Sequence, residues 1–300
     1  MKVAVIGIGS NSVRMLVAQV QDGKAVRIRR ERAGTRLFAG LDTLRTLSVE
    51  AMETTAQAVG AMAESARADD VEDIRLFATS ATRDAANKEA FISRLQAVAG
   101  LTPEICSGEE EAMLSFLGAA GEGYCGVVDI GGGSTEIVMG QERDIRCAFS
   151  CQMGAVRLSK HIPINSRNDL PAVQELATAI LENKLEAHPT LTLPEKWYGT
   201  GGTFTTLGAM IRGVHWTDRT YMHGTVLPLP EIERFARELA DMSIAERKEI
   251  PGLQPNRADI IVHGICILLA VMRRLNMQAI TVSENGNLDG FIRDRYQARW

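Results

Sequence analysis

IGIGSNSVRMLV, residues 6–17, and VDIGGGSTEIVM, residues 128–139, are the two stretches that decide the fold. Each is an apolar run, a turn of glycine and hydroxyl residues, and a second apolar run. Short apolar runs bounded by turn residues read as buried strands, so each stretch predicts a hairpin. The offset of 122 residues (6 to 128) points to an internal duplication. Outward from the first hairpin, Val3–Ile6 and Val13–Val20 are strands, and Lys24–Arg32 is a third. In that third strand Val26 and Ile28 alternate with Arg27 and Arg29, which predicts one wet face. A helix over 48–66, a strand over 74–78, a helix ending at Gly100 and a helix over 109–120 complete this half. Outward from the second hairpin come helices over 170–186 and 229–242, with a strand over 196–198 between them that breaks into a Gly/Thr turn and a helix. An apolar helix over 258–275 with Asn256 as its N-cap, a strand over 279–282 and a helix over 288–300 close the chain. The reading is an α/β protein of two related domains, 1–122 and 123–287, with helix 288–300 returning to the first and a cleft between the two.

Composition fits that reading. Three hundred residues suit two domains. A net charge of −4 from 33 basic and 37 acidic residues speaks against a nucleic-acid coat or a polybasic membrane protein. The apolar stretch 260–272 is too short to span a bilayer and reads as a core helix. The opening MKVAVIGIGSNS has no signal-peptide pattern. Five scattered cysteines, an odd number without zinc-site spacing, predict reduced thiols in a cytoplasm.

The chemistry-bearing residues sit in the turns. In Asp129-Ile130-Gly131-Gly132-Gly133-Ser134-Thr135-Glu136 three glycines let backbone N–H groups approach an anion, and Ser134 and Thr135 add hydroxyls. Asp129 and Glu136 are hard oxygen ligands of the kind Mg²⁺ uses beside phosphate. The plain alternative is a tight hairpin turn. Gly9-Ser10-Asn11-Ser12 is the matching turn of the first half, with donors and no carboxylate. Gly199-Thr200-Gly201-Gly202-Thr203 opens a helix and is a second glycine-rich anion site, or simply a glycine-rich connection. Arg83, after a strand end, can donate two hydrogen bonds to phosphate or be solvated. Glu109, Glu110 and Glu111 open a helix, where they complement its dipole or supply a general base. Arg27, Arg29, Arg30, Arg32 and Arg36 form a candidate track for a long polyanion, or a solvated strand face.

Together GSNSVRML (9–16), ATSATRDAAN (78–87), SGEEEA (107–112), DIGGGSTEIV (129–138), QMGAVRLS (152–159), YGTGGTFTTL (198–207) and PGLQPNRADIIVHG (251–264) resemble the exopolyphosphatase/guanosine pentaphosphate phosphohydrolase (Ppx/GppA) family in its short form. The resemblance implies two duplicated ribonuclease-H-like domains of the actin-like ATPase kind. It implies a Mg²⁺-dependent (or other divalent-cation) hydrolase that releases terminal orthophosphate from inorganic polyphosphate. The alternatives are a guanosine pentaphosphate 5′-phosphohydrolase of the stringent response, or a catalytically weak sensor of polyphosphate or guanosine tetra- and pentaphosphate. A homodimer is an expectation from the family, with neither nucleic acid nor membrane as partner. By position, Glu110 matches the base, and Asp129 and Glu136 match the metal-associated carboxylates. Ser10, Asn11, Ser12, Arg83, Gly131, Gly132, Gly133, Ser134 and Thr135 match phosphate contacts, and Gly201, Gly202 and Thr203 join them. Two positions depart from the family pattern: Gly7 stands where the family has Asp, and Leu288 where it has Arg. Read alone, they remove one anionic and one cationic group and favour the sensor.

Overall fold

The computed structural model describes residues 1–188 and 190–297. In chain order it forms β1 (Lys2–Ile8), β2 (Val13–Gln21), β3 (Lys24–Ala33), α1 (Val49–Ala68), β4 (Asp73–Ala78), α2 (Ser80–Arg83), α3 (Lys88–Ala99), β5 (Glu104–Ile105) and α4 (Gly108–Ala119). Then follow β6 (Cys125–Ile130), β7 (Thr135–Gln141), β8 (Asp144–Cys151), α5 (Ala155–His161), α6 (Leu170–Leu185), β9 (Lys196–Thr200), α7 (Gly202–Arg212) and α8 (Arg219–Met222). The last elements are β10 (Val226–Pro228), α9 (Leu229–Ala240), α10 (Ile244–Lys248), α11 (Ile261–Arg274), β11 (Ala279–Val282) and α12 (Asn287–Arg295). The chain divides into two compact units, one of Met1–Gly118 with the segment from Asn287, the other of Ala119–Gly286.

Each unit carries the same sheet. The first runs β3-β2-β1-β4-β5 and the second β8-β7-β6-β9-β11, with β10 added at the edge. In both, the opening three strands are an antiparallel meander and the next two join in parallel. That is the ribonuclease-H-like order, found twice in a mixed α/β chain. The duplication extends to the turns: Gly9 N donates to Ser12 O at 3.0 Å, and Gly131 N donates to Ser134 O at 3.0 Å.

The elements form where side chains dictate. β1 is apolar along its length because helices cover both faces of its sheet, and Val3 to Ile6 have no exposure. Ser48 caps α1 by accepting from Ala51 N. Every residue from Ile261 to Met272 of α11 is buried, which is why that stretch is apolar all round. In the first unit Val3, Val5, Leu16, Ala18, Ala25, Phe77, Leu288 and Phe291 form a core between the sheet and α12.

β8 pairs along β7 from Asp144 to Cys151. Three expectations need correction. Asn256 caps nothing: Pro255–Arg257 is a 3-10 turn, and α11 starts at Ile261 after Ile260. The last helix begins at Asn287 and ends at Arg295, while residues 298–300 of the expected 288–300 lie outside the described ones. On β3 the faces are reversed, with Val26 64% and Ile28 50% exposed and the arginines half-buried. A bulge explains it. Arg27 pairs with Ala18 and Arg29 with Val17, which leaves Ile28 as the extra residue.

Candidate active site

In the first unit the turn after β1 is held by a neighbouring segment: Arg36 N donates to Asn11 O at 3.2 Å and Phe38 N to Ser10 O at 2.8 Å. Ser10, Asn11 and Ser12 are buried. Thr79 N donates to Ile8 O, so α2 starts beside the same turn. Around this junction lie Asn11 Oδ1 and Nδ2, Thr35 Oγ1, Ser80 Oγ, Thr82 Oγ1 and Arg83 Nη2, all buried and all without a hydrogen-bond partner in the described structure. Buried polar groups are ordinarily paired, and five side chains left over at one junction mark a place built for a polar ligand. Donors dominate the set, and Arg83 adds a positive charge, so an anion fits it.

The three glutamates of α4 separate cleanly. Glu110 is exposed and closes a capping box: Ser107 N donates to Glu110 Oε2 at 2.7 Å, and Glu110 N donates to Ser107 Oγ at 3.1 Å. The Ser107 N–H, and secondarily its hydroxyl, hold the Glu110 carboxyl below the usual range. Glu111 is 7% exposed and turns inward, where Arg83 Nη1 lies 3.2 Å from its Oε2. The same Arg83 nitrogen reaches Cys106 O at 3.0 Å. Glu110 Oε2 is thus engaged at the start of α4, and Glu111 is the carboxylate beside Arg83.

In the second unit Asp129 of β6 and Glu136 of β7 are directly opposite each other on one rung, and both are buried. Ser150 of β8, on the same rung, donates to Glu136 Oε1 at 2.7 Å. The glycine turn between the strands rests on the segment 153–157. Ala155 N donates to Gly131 O, Val156 N and Arg157 N donate to Gly132 O, and Arg157 Nε donates to Gly133 O at 2.6 Å. Gly154 must lack a side chain, because a Cβ there would sit 2.3 Å from Gly132 C. With their carbonyls fastened this way, Gly131, Gly132 and Gly133 form a rigid loop beside Ser134.

Two expected hydroxyl contacts turn elsewhere. Thr135 Oγ1 donates to Met153 O at 2.5 Å in a fully buried position. Thr203 packs on α11, its Oγ1 2.4 Å from where a Cβ of Gly264 would lie. Gly201, at φ 95°, and Gly202 do stand at the site: a Cβ on Gly201 would be 2.7 Å from Asp129 Oδ1. A Cβ on Gly202 would overlap the Arg257 guanidinium, 1.7 Å from Cζ. Arg257 thus lies across the start of α7 near Asp129. Its signal in the sequence is an arginine in a Pro/Gln/Asn turn outside any amphipathic pattern.

The two departures from the family pattern are one contact. A Cβ on Gly7 would lie 2.9 Å from Phe77 Cζ and 3.1 Å from Leu288 Cδ2. Position 7 therefore faces the apolar core of its own unit, with Phe77 and Leu288 beside it.

Asp129 and Glu136 fit a divalent cation. Among the described residues no cluster of three or more His, Cys, Asp or Glu could hold a metal by protein ligands alone. Two carboxylates on one rung suit Mg²⁺, which keeps several waters and takes phosphate oxygens as its other ligands. The cysteines offer no competing chemistry: all five are free and buried, and burial pushes the Cys106, Cys151 and Cys266 thiols up to about 12.

Comparison with known proteins agrees with this geometry. Exopolyphosphatase 2 of Mycobacterium tuberculosis is 35% identical over 313 residues, covering 96% of this chain and 97% of that protein. Guanosine-5′-triphosphate,3′-diphosphate pyrophosphatase of Vibrio cholerae is 29% identical over 305 residues, and the match spans 98% of this chain and 59% of that longer protein. Among solved structures, an exopolyphosphatase-like protein superposes with a TM-score of 0.89 at 27% identity, with 99% of each chain covered. The Aquifex aeolicus member of the Ppx/GppA family does so with a TM-score of 0.82 at 29% identity, covering 99% of this chain and 98% of that one. Residues 16–298 match the Ppx/GppA phosphatase family, and with the duplicated sheet and the paired glycine turns, the chain belongs to that family.

Proposed function

We propose that this protein is an exopolyphosphatase, a phosphoanhydride hydrolase that releases terminal orthophosphate from inorganic polyphosphate. The observation that carries the reading is the junction in the first unit, where Glu111 stands beside Arg83, one of five side chains there with unpartnered buried polar atoms. The near end-to-end match to an exopolyphosphatase supplies the substrate class.

In the reaction, a water oxygen forms a bond to the terminal phosphorus, and the bridging P–O bond breaks with its electrons going to the shortened chain. Glu111 takes the water proton. Arg83 Nη2, the Asn11 amide and the Ser80 and Thr82 hydroxyls are donors for the terminal phosphate oxygens. Asp129 and Glu136 would hold Mg²⁺, which when bound offsets the charge of the phosphate chain. Arg257 at Gly202 adds a cation in the second unit. Five buried thiols with raised pKa values suit a reducing cytoplasm. Among the described residues no helix is long and apolar enough to cross a membrane.

A second reading, removal of the 5′-terminal phosphate from guanosine pentaphosphate, is favoured by the Vibrio relatives, although this chain spans only 59% of the length of one of them. The sensor reading rests on Gly7 and Leu288, which face the apolar core of the first unit. Phosphate release from long-chain polyphosphate and from guanosine pentaphosphate, each with Mg²⁺ and with EDTA, tests the proposal. Mg²⁺-dependent release from polyphosphate is expected. Release from the pentaphosphate alone would establish the second reading, and binding without release from either would restore the sensor.

A further inference from the structure

The bulge in β3 sorts its arginines. Without it, Arg27 and Arg30 would point to opposite faces, since residues an odd number apart alternate. With Ile28 extruded, Arg27 Nε and Arg30 Nη2 both reach Asp289 Oδ1 of α12, at 2.9 and 2.7 Å. Arg29 goes to the other face, where it bonds Ser65 of α1 and pairs with Glu31 and Asp69. Beyond the bulge Arg32 shares Arg30's face and stands directly opposite Arg14 of β2. Arg14 in turn reaches Asn287 Oδ1 at 3.0 Å, so it faces α12 as well.

This is an unusual arrangement for a strand edge. Asp289 is 3% exposed, and this one carboxylate holds two guanidinia. One rung further on, Arg32 of β3 stands directly opposite Arg14 of β2. The stripe is also directed. β3 runs antiparallel to β2, so the order Arg27, Arg30, Arg32 advances towards the Gly9–Ser12 turn, with Ala33 opposite Val13. At the strand rise it spans about 15 Å. β3 is the edge strand of its sheet, so the stripe has an open side.

We propose that Arg27, Arg30 and Arg32 form a rail that binds the distal part of an inorganic polyphosphate chain and leads it, past Arg14, to the first turn. This rests on the exopolyphosphatase reading for the identity of the polyanion, while the rail itself is tested by binding. Asp289 holds the first two guanidinia in line, and the bulge places them there. A linear chain of identical anions matches a linear series of fixed cations, whereas a short phosphate compound reaches only the turn.

The test is equilibrium binding in EDTA, where nothing is hydrolysed, of long-chain polyphosphate and of tripolyphosphate to the wild-type protein and to Arg32→Gln. The rail predicts about tenfold weaker long-chain binding in the variant at low salt, and a smaller slope of affinity against salt concentration. Tripolyphosphate affinity should stay within about twofold. The doubly substituted Arg27→Lys, Arg30→Lys protein separates charge from architecture. It should keep most long-chain affinity while its melting temperature falls, because lysine cannot reproduce the guanidinium contacts to Asp289. Long-chain binding by Arg32→Gln equal to wild type, or equal loss for both phosphate lengths, would overturn the rail. So would tighter binding of a single-stranded RNA of similar charge. A protein that binds long chains through Arg32 yet releases no phosphate would contradict the proposed hydrolysis and leave the rail standing.

Discussion

The same three-strand rung occurs twice in this molecule with opposite chemistry. In the first unit it reads Gly7, Arg14, Arg32 across β1, β2 and β3. In the second it reads Asp129, Glu136, Ser150 across β6, β7 and β8. The backbones agree down to the hydrogen bond that closes each adjacent turn. One rung carries two guanidinia and no carboxylate, and the other two carboxylates and a hydroxyl. Duplication supplied the scaffold, and equivalent places carry arginines in the first unit and carboxylates in the second; in the proposed function the first takes phosphate and the second a cation. On the first rung Gly7 lies against Phe77 and Leu288.

The largest expected effect tests whether the first unit also supplies the base. Glu111→Gln should lower phosphate release by at least about 100-fold with the fold intact. Glu110→Gln should leave turnover within about a factor of two, because that side chain caps α4. Assays of both variants at saturating Mg²⁺ check the assignment; the reverse ranking would return the base to Glu110.

Making the rungs alike is the next test. Gly7→Asp places a carboxylate between Phe77 and Leu288 and should destabilise the protein by about 2–4 kcal/mol without raising activity. Adding Leu288→Arg should recover about 1 kcal/mol or more, seen as a positive coupling in a double-mutant cycle of denaturation. A stable, more active Gly7→Asp protein would show that the first rung does lack a working carboxylate.

The smallest effect concerns the cap. Ser107→Ala should cost about 1 kcal/mol. Because Ser107 holds the Glu110 carboxyl below its ordinary 4.5, the cap's contribution is complete above that value and fades as pH falls through the lower folded value. Melting curves of wild type and Glu110→Gln, which removes the titrating carboxyl, should therefore converge in acid; a gap independent of pH would put the stabilisation elsewhere.

The sequence made the hairpins and their repetition legible, because a glycine- and hydroxyl-rich turn between apolar runs has few other readings. It also exposed the turn residues and the Asp129–Glu136 pair, which are close in sequence. Ser107-x-x-Glu110 has the spacing of a capping box, and the structure forms it. What stayed hidden depended on distance along the chain. Gly7 meets Leu288, Gly202 meets Arg257, and Arg27 meets Asp289 only after folding. The bulge at Ile28 was hidden for another reason: strict alternation describes a regular strand, and one extruded residue reverses every face beyond it.

Electron paramagnetic resonance titration with Mn²⁺ in place of Mg²⁺, without substrate, tests the division between the rungs most directly. The wild-type protein and Arg32→Gln should bind the ion with similar affinity, and Asp129→Asn should bind it at least about tenfold more weakly, since an amide cannot supply the carboxylate charge. Equal Mn²⁺ affinity in wild type and Asp129→Asn would contradict the assignment of the cation to the second rung.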